Sequence, residues 1–233
     1  MDPKPLNKAQ AARYVERLTP ARIGQVLRPH MTAERVARID EVLARRLARL
    51  TVVVENLHDP HNGAAALRSA EAVGLQTFHA IQQREPFSVA KGISLQCDQW
   101  MDMYLHDTTE GCYAALRDHG YRIWAAVPVG NVHLEDLPCE GSVALVFGNE
   151  RDGLSDRALE GVDGTFTIPM HGFTGSFNLS VSVSLAVYTQ AARMRRSLGA
   201  PGDLSAARVE GLRALWYCLS VRAAGLILDR ESG

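Results

Sequence analysis

HGFTGSFNLSVSVSLAVYTQAARMRR, residues 171–196, supports two readings of the fold. His171 to Asn178 is loop chemistry, with two glycines, two hydroxyls and an amide. From Leu179 to Val187 apolar and small residues alternate, and a period of two marks a half-buried strand. The run then passes into Tyr188-Thr-Gln-Ala-Ala-Arg-Met-Arg-Arg196, which is rich in helix formers. Leu179, Val183, Ala186 and Val187 also share one helical face. Residue spacing alone leaves strand and helix both open.

The flanking sequence sets a context for this segment. Residues 51–57 form a β-branched apolar run ended by His58-Asp-Pro60, and residues 64–73 read as a helix closed by Gly74. Strands are expected at 77–81, 101–105, 121–127, 143–147 and 164–168, with helices at 110–118 and 155–159. Strands alternating with helices, several of them apolar throughout, specify an α/β fold with a mostly parallel sheet covered on both faces. Asn7 and Thr32 cap two earlier helices, at 7–18 and 32–47, joined by a link holding Thr19-Pro20 and Pro29. Helical runs at 203–209 and on to about residue 228 close the chain. The expected organisation is a basic helical arm at 1–50, the α/β domain at 51–198 and a helical extension at 199–233.

The chain has 233 residues, 46% of them hydrophobic, enough for one sizeable domain with appended helices. The N-terminal MDPKPLNKAQ lacks the apolar core of a signal peptide, and the richest apolar stretch, 214–228, is interrupted by Arg222. No membrane association is expected. Cys97, Cys112, Cys139 and Cys218 form no C-x-x-C pair, which reads as reduced, mostly buried thiols in a cytoplasmic protein. Residues 1–50 carry eleven Lys/Arg against five Asp/Glu, although the whole chain has a net charge of −1. Such an arm suits a polyanionic partner, but a solvated helical surface has the same composition.

Ligands of open parallel sheets bind beyond the carboxyl ends of the strands. Three loops there are unusual: Asn56-Leu-His-Asp-Pro-His-Asn62-Gly63 before a helix carrying Arg68, Phe147-Gly-Asn-Glu-Arg-Asp-Gly153, and Ile168-Pro-Met-His-Gly-Phe-Thr-Gly-Ser-Phe-Asn178. Each sets glycine beside an amide, carboxylate or hydroxyl, so backbone can approach a ligand closely. No G-x-G-x-x-G or G-x-x-x-x-G-K-[ST] motif is present, which excludes the usual dinucleotide and P-loop sites. His58 and His61 flank Asp59 in a Pro-containing turn without an evident third ligand. They read as turn residues, and no metal site is expected.

Taken together the three loops resemble the motifs of the SpoU branch of the SPOUT RNA methyltransferases. The first motif is matched at Pro60-His61-Asn62, Arg68 and Gly74, and the second at Phe147-Gly148-x-Glu150-x-x-Gly153. The third is matched at Ile168-Pro169-Met170, Gly172 and Ser176-Phe-Asn178-Leu-Ser-Val. Gly175 and Phe177 stand where close relatives commonly have Gln and Leu. The resemblance covers about residues 32–197.

This resemblance implies a C-terminal deep trefoil knot, in which the segment after Asn178 is a helix. It implies S-adenosylmethionine as cofactor, held near Gly148, Asn149, Ile168, Met170, Phe177 and Leu179. It also implies methyl transfer to a ribose 2′-hydroxyl of RNA, most closely that of guanosine 18 in the D-loop of tRNA. Alternatives are a ribosomal RNA substrate or a catalytically silent RNA-binding relative. A domain binding a small nucleotide, with the arm serving only as a dimer contact, also fits the residues. The catalytic set carried over is Arg68, Asn62, Glu150, Ser176 and Asn178, in a homodimer with sites at the interface. Arg45, Arg46, Arg49, Arg193, Arg195 and Arg196 are then candidates for tRNA phosphate contacts.

Overall fold

The computed structural model describes residues 5–83, 86–87 and 97–231. It divides into two compact units, Met1–Arg46 with Gly202–Gly233 and Leu47–Pro201. The chain starts in the first unit with α1 (Lys8–Arg17), α2 (Pro20–Leu27) and α3 (Ala33–Ala44). Asn7 and Gln10 form a reciprocal capping box on α1, and Thr32 caps α3. The Thr19-Pro20 stretch, expected as a link, opens α2 instead. Thr19 Oγ1 accepts from the Arg22 amide, and Pro20 occupies the first helical position, where its missing N–H costs nothing.

The α/β unit begins with β1 (Leu47–Glu55), four residues earlier than its apolar run suggests. Then follow α4 (Pro60–Ala72), β2 (Leu75–Ile81), β3 (Asp102–His106), α5 (Thr109–Asp118), β4 (Tyr121–Ala126), β5 (Val132–His133) and β6 (Ser142–Phe147). The unit ends with α6 (Asp156–Glu160), β7 (Gly164–Thr167) and α7 (Leu179–Leu198). The seven-stranded sheet has the order β3-β2-β1-β6-β4-β7-β5, with every pairing parallel. Both faces are covered, and β1 shows why its sequence is apolar throughout. Val52 and Val54 pack in the cluster that holds Leu67, Val183 and Val187, while Val53 packs with Cys112, Leu116 and Ala158.

The ambiguous segment is helical. In α7 the buried positions are Leu179, Val183, Ala186, Val187, Gln190, Ala191 and Met194, a helical spacing. The serines that produced the alternation serve a packing role. Ser184 Oγ donates to the Ser180 carbonyl (2.6 Å) and shares a hydrogen bond with Ser69 Oγ of α4 (2.7 Å). Gly199, at φ +62°, ends the helix in the left-handed region.

The last segment forms α8 (Ala206–Ser220) and α9 (Ala224–Arg230), which pack with α1–α3. Ile23, Leu27, Leu212, Trp216 and Leu228 are buried there. Arg17 pairs with Asp229 (2.7 Å), Arg22 with Glu231 (2.9 Å) and Arg213 with Asp40 (2.7 Å). Among the described residues no single helix is long and apolar enough to cross a membrane, and the apolar α8–α9 pair is bent by 111°.

Candidate active site

Strand β6 lies between β1 and β4, and because all strands run parallel the segments leaving β1, β4, β6 and β7 emerge at the same carboxyl end of the sheet. Each segment is shaped by its own residues. At the end of β1, buried Asn56 takes φ 49°, a left-handed turn that asparagine tolerates. Asp59 then caps α4, its carboxylate accepting from the His61 amide (2.8 Å) and contacting His61 Nδ1 (2.9 Å). Those hydrogen bonds hold the Asp59 carboxyl below the usual carboxylate range.

After β6 the chain doubles back on itself. The Asn149 and Gly153 amides each donate to the other residue's carbonyl at 3.1 Å. Asn149 Oδ1 accepts from the amides of Arg151 (2.9 Å) and Asp152 (2.8 Å). The turn is so tight that a Cβ on Gly148 would lie 2.0 Å from the Gly153 carbonyl carbon. Gly153 itself requires φ +72°. These two glycines are therefore fixed by backbone geometry.

The third loop ends at Asn178, which caps α7 by accepting from the Ser180 amide (2.9 Å) and hydroxyl (2.6 Å). Its amide group then joins all three loops. Asn178 Nδ2 donates to Asn62 Oδ1 (3.3 Å), and Asn62 Nδ2 donates to Glu150 Oε1 (2.5 Å). The loops' polar residues, 88 and 116 positions from Asn62 along the chain, thus form one hydrogen-bonded chain.

Beside this cluster lies a cavity of about 640 Å3. Gly148, Asn149, Glu150, Ile168, Met170, Ser176, Phe177, Asn178 and Leu179 all line it. Its apolar wall includes Phe147, Phe166 and Leu154. Arg68 is not among the lining residues. Because α4 starts at Pro60 and not at residue 64, Arg68 sits just over two turns into the helix. Its side chain is exposed, and no hydrogen bond or ion pair engages its guanidinium among the described residues.

The arginines proposed for phosphate contact fall into different environments. Arg45 is exposed and paired with Glu41 (3.0 Å). Arg46 is fully buried, its guanidinium 5.2 Å from the Trp216 ring centroid, so it is removed from the phosphate set. Stacking on an indole face is a packing role open to arginine inside a helical unit. Arg49 is half-buried in β1 and does not belong to a helical arm. Arg193 donates to Gln190 Oε1 (2.8 Å), and Arg195 to the carbonyls of Pro201 (2.8 Å) and Val73 (2.7 Å). Arg196 is exposed.

Glu55 escapes a motif reading. It is 1% exposed and accepts from Thr109 Oγ1 (3.0 Å), the Ser155 amide (2.8 Å) and Ser155 Oγ (2.7 Å). The last of these pins the end of the 148–155 loop to β1. The available signal is one carboxylate ending the otherwise apolar run TVVVE.

Residues 49–188 match the model of the SpoU rRNA Methylase family. A tRNA (guanosine(18)-2′-O)-methyltransferase of Borreliella burgdorferi is 34% identical over 177 residues, covering 76% of this chain and 81% of that one. The enzyme of that name from Thermus thermophilus is 32% identical over 169 residues, covering 72% and 87%. The solved A. aeolicus TrmH/SpoU tRNA modifying enzyme superposes with a TM-score of 0.71 at 26% identity, over 79% of this chain and 95% of that chain. With three motif loops joined at one cleft and a family match over more than half its length, the chain belongs to the SpoU RNA methylase family.

Proposed function

We propose that this chain is an S-adenosylmethionine-dependent methyltransferase acting on the ribose 2′-hydroxyl of guanosine 18 in the D-loop of tRNA. The observation that carries this reading is the Glu150–Asn62–Asn178 hydrogen-bonded chain beside a ligand-sized cleft. The Borreliella and Thermus relatives named above have this specificity in their names and span most of the chain.

The cleft suits the cofactor. Its volume falls within the range of about 300–1,000 Å3 typical of small-molecule sites. Apolar Ile168, Met170 and Leu179 supply a wall for an adenine ring, and loop backbone near Gly148 supplies hydrogen-bonding groups. When bound, S-adenosylmethionine supplies a methyl group already activated on a sulfonium, so the transfer itself needs no metal.

The chain's own residues handle position and proton. Asn62, Glu150, Ser176 and Asn178 orient the reacting groups, and such alignment is worth several kcal/mol of barrier. Arg68 offers a planar guanidinium fork, whose geometry matches phosphate oxygens. It therefore serves as a clamp on the phosphate next to the target ribose, and that phosphate receives the 2′-hydroxyl proton.

Arg68 lies outside the cavity of its own chain, which supports a homodimer in which it serves a neighbouring copy's site. Val181, Leu185 and Tyr188 form an exposed stripe on α7, 43%, 40% and 71% accessible, suited to burial against a second copy. The deep trefoil knot and a cytoplasmic location belong to the same reading. Exposed Arg45 and Arg196 are its strongest phosphate contacts, with Arg49, Arg193 and Arg195 less available.

Transfer of radiolabelled methyl from S-adenosylmethionine to a tRNA transcript tests the proposal. Label is expected in wild-type transcript and lost when guanosine 18 carries a 2′-deoxy sugar. Label on ribosomal RNA alone would replace tRNA as substrate, and none on either RNA would favour a silent RNA-binding role.

A further inference from the structure

Away from the cleft, the α/β unit gathers a second set of chemically reactive side chains. His79 stands in β2, His106 ends β3 and Cys112 lies in the first half of α5. One nitrogen or sulfur from each lies within 4.8 Å of the others. His79 Nδ1 and His106 Nε2 are 3.0 Å apart, their rings nearly parallel at 8°. Tyr104 stacks on His79 with centroids 4.8 Å apart, which fixes the ring further. His79 and Cys112 are buried, and half-buried His106 provides the approach from solvent.

We infer that His79, His106 and Cys112 bind one late first-row divalent ion of the zinc class, with a water molecule as fourth ligand, at a site separate from methyl transfer. Two imidazoles and a thiolate are a borderline-soft set that favours such ions over Mg2+ or Ca2+. The spacing of the two nitrogens is nearly right, and the Cys112 sulfur lies within 4.8 Å of both. Two nitrogens at about 2.0–2.1 Å from a tetrahedral zinc sit roughly 3.3 Å apart, so the rings need spread by only a few tenths of an ångström.

Protonation favours the nitrogens. Burial, with the charge of His106, pushes the His79 ring down to about 3, so it is neutral in ordinary buffer. The thiol opposes binding, because burial and the Glu55 carboxylate push Cys112 up to about 12. A bound dication reverses that balance. It forms the metal–sulfur bond, and the thiol proton leaves to solvent. The Glu55 charge that disfavours a thiolate alone then favours the cationic site. The ion would clamp β2, the edge strand β3 and α5.

The site is invisible to local spacing, since its ligands come from three separate elements. A sequence scan for paired cysteines and histidines therefore predicts no metal.

The test is anaerobic titration of the whole, chelator-treated protein with Co2+ in place of Zn2+. One equivalent is expected to bind, giving a thiolate-to-cobalt charge-transfer band and the visible bands of four-coordinate cobalt. Zn2+ should displace it and raise the unfolding temperature. Cys112→Ser should abolish the charge-transfer band, and His106→Ala, at a half-exposed position, should weaken cobalt binding at least tenfold. Circular dichroism on both variants checks that they fold. Absence of a thiolate band in the wild-type protein, or an unchanged band in folded Cys112→Ser, would overturn the site.

Discussion

The helical unit carries fourteen Lys/Arg against nine Asp/Glu, whereas the α/β unit carries eleven against seventeen. The difference extends to how the polar groups are used. In the helical unit Arg17, Arg22 and Arg213 pair with acids of the same unit, and Arg46 is packed away under Trp216. In the α/β unit Asn62, Glu150 and Asn178 join three loops at the carboxyl end of the sheet. The positive surplus lies on one unit and the loop-joining polar cluster on the other, and the proposed function places RNA attraction on the first and chemistry on the second.

Arg68→Ala gives the sharpest test of that division. Single-turnover methylation should fall by about 10²–10³-fold, the usual worth of one preorganised charged contact that holds a reacting group in place. Cofactor binding by calorimetry should be unchanged. Arg68→Lys should keep part of the activity, because a phosphate clamp needs charge first and planar geometry second. Wild-type rates in Arg68→Ala would remove the chemistry from α4.

Next in size are two buried changes, one per unit. Arg46→Ala should destabilise the helical unit by about 2–5 kcal/mol in denaturant melts, the range for emptying a large buried site. Tight tRNA binding should survive in whatever fraction stays folded. Glu55→Gln sets an N–H2 where Thr109 and Ser155 donate, at a cost of about 1–3 kcal/mol. It should also weaken cofactor binding by loosening the 148–155 loop. A melt unchanged by Glu55→Gln would mean that the loop is held some other way.

Smaller again is the effect of a surface phosphate contact. Arg45→Ala should reduce the slope of log affinity for tRNA against log salt by about one, leaving the chemical step intact. An unchanged slope would move the RNA contact off the helical unit. Last, Arg17→Ala should change neither melting temperature nor tRNA affinity measurably. Both partners of its ion pair are more than half exposed, where solvent screens the attraction.

Much of this division can be read from the residues. The apolar runs of β1 and β6 announce buried parallel strands, and the three glycine-amide loops announce the cleft. Period two at 179–187 misleads because the alternate small residues are serines. The Ser180 hydroxyl donates to the capping Asn178 and that of Ser184 bonds within α7 and against α4, and small side chains suit close helix packing as well as a strand. Helix α2 is hidden because Pro20 reads as a breaker unless Thr19 is recognised as its cap. Arg46 shows the limit of counting charge, since its neighbour Arg45 is exposed while Arg46 is 0% accessible. Glu55 and the His79–His106–Cys112 set depend on partners far along the chain, which no local pattern encodes.

The helical unit is assembled from the two ends of the described chain, and this has a consequence for synthesis. Helices α1–α3 leave the ribosome first, yet their packing partner α8 starts only at Ala206. At about 5–20 residues per second, the intervening chain takes roughly 8–30 seconds to make. During that interval the apolar faces of Ile23, Leu27 and Leu43 lack the surface that later buries them. The α/β unit, encoded without interruption from Leu47 to Pro201, has every strand of its sheet available before α8 is made. The nascent chain therefore has its methyltransferase fold within reach while helices α1–α3 still wait for α8, a vectorial order in which the α/β unit can be completed before the helical one.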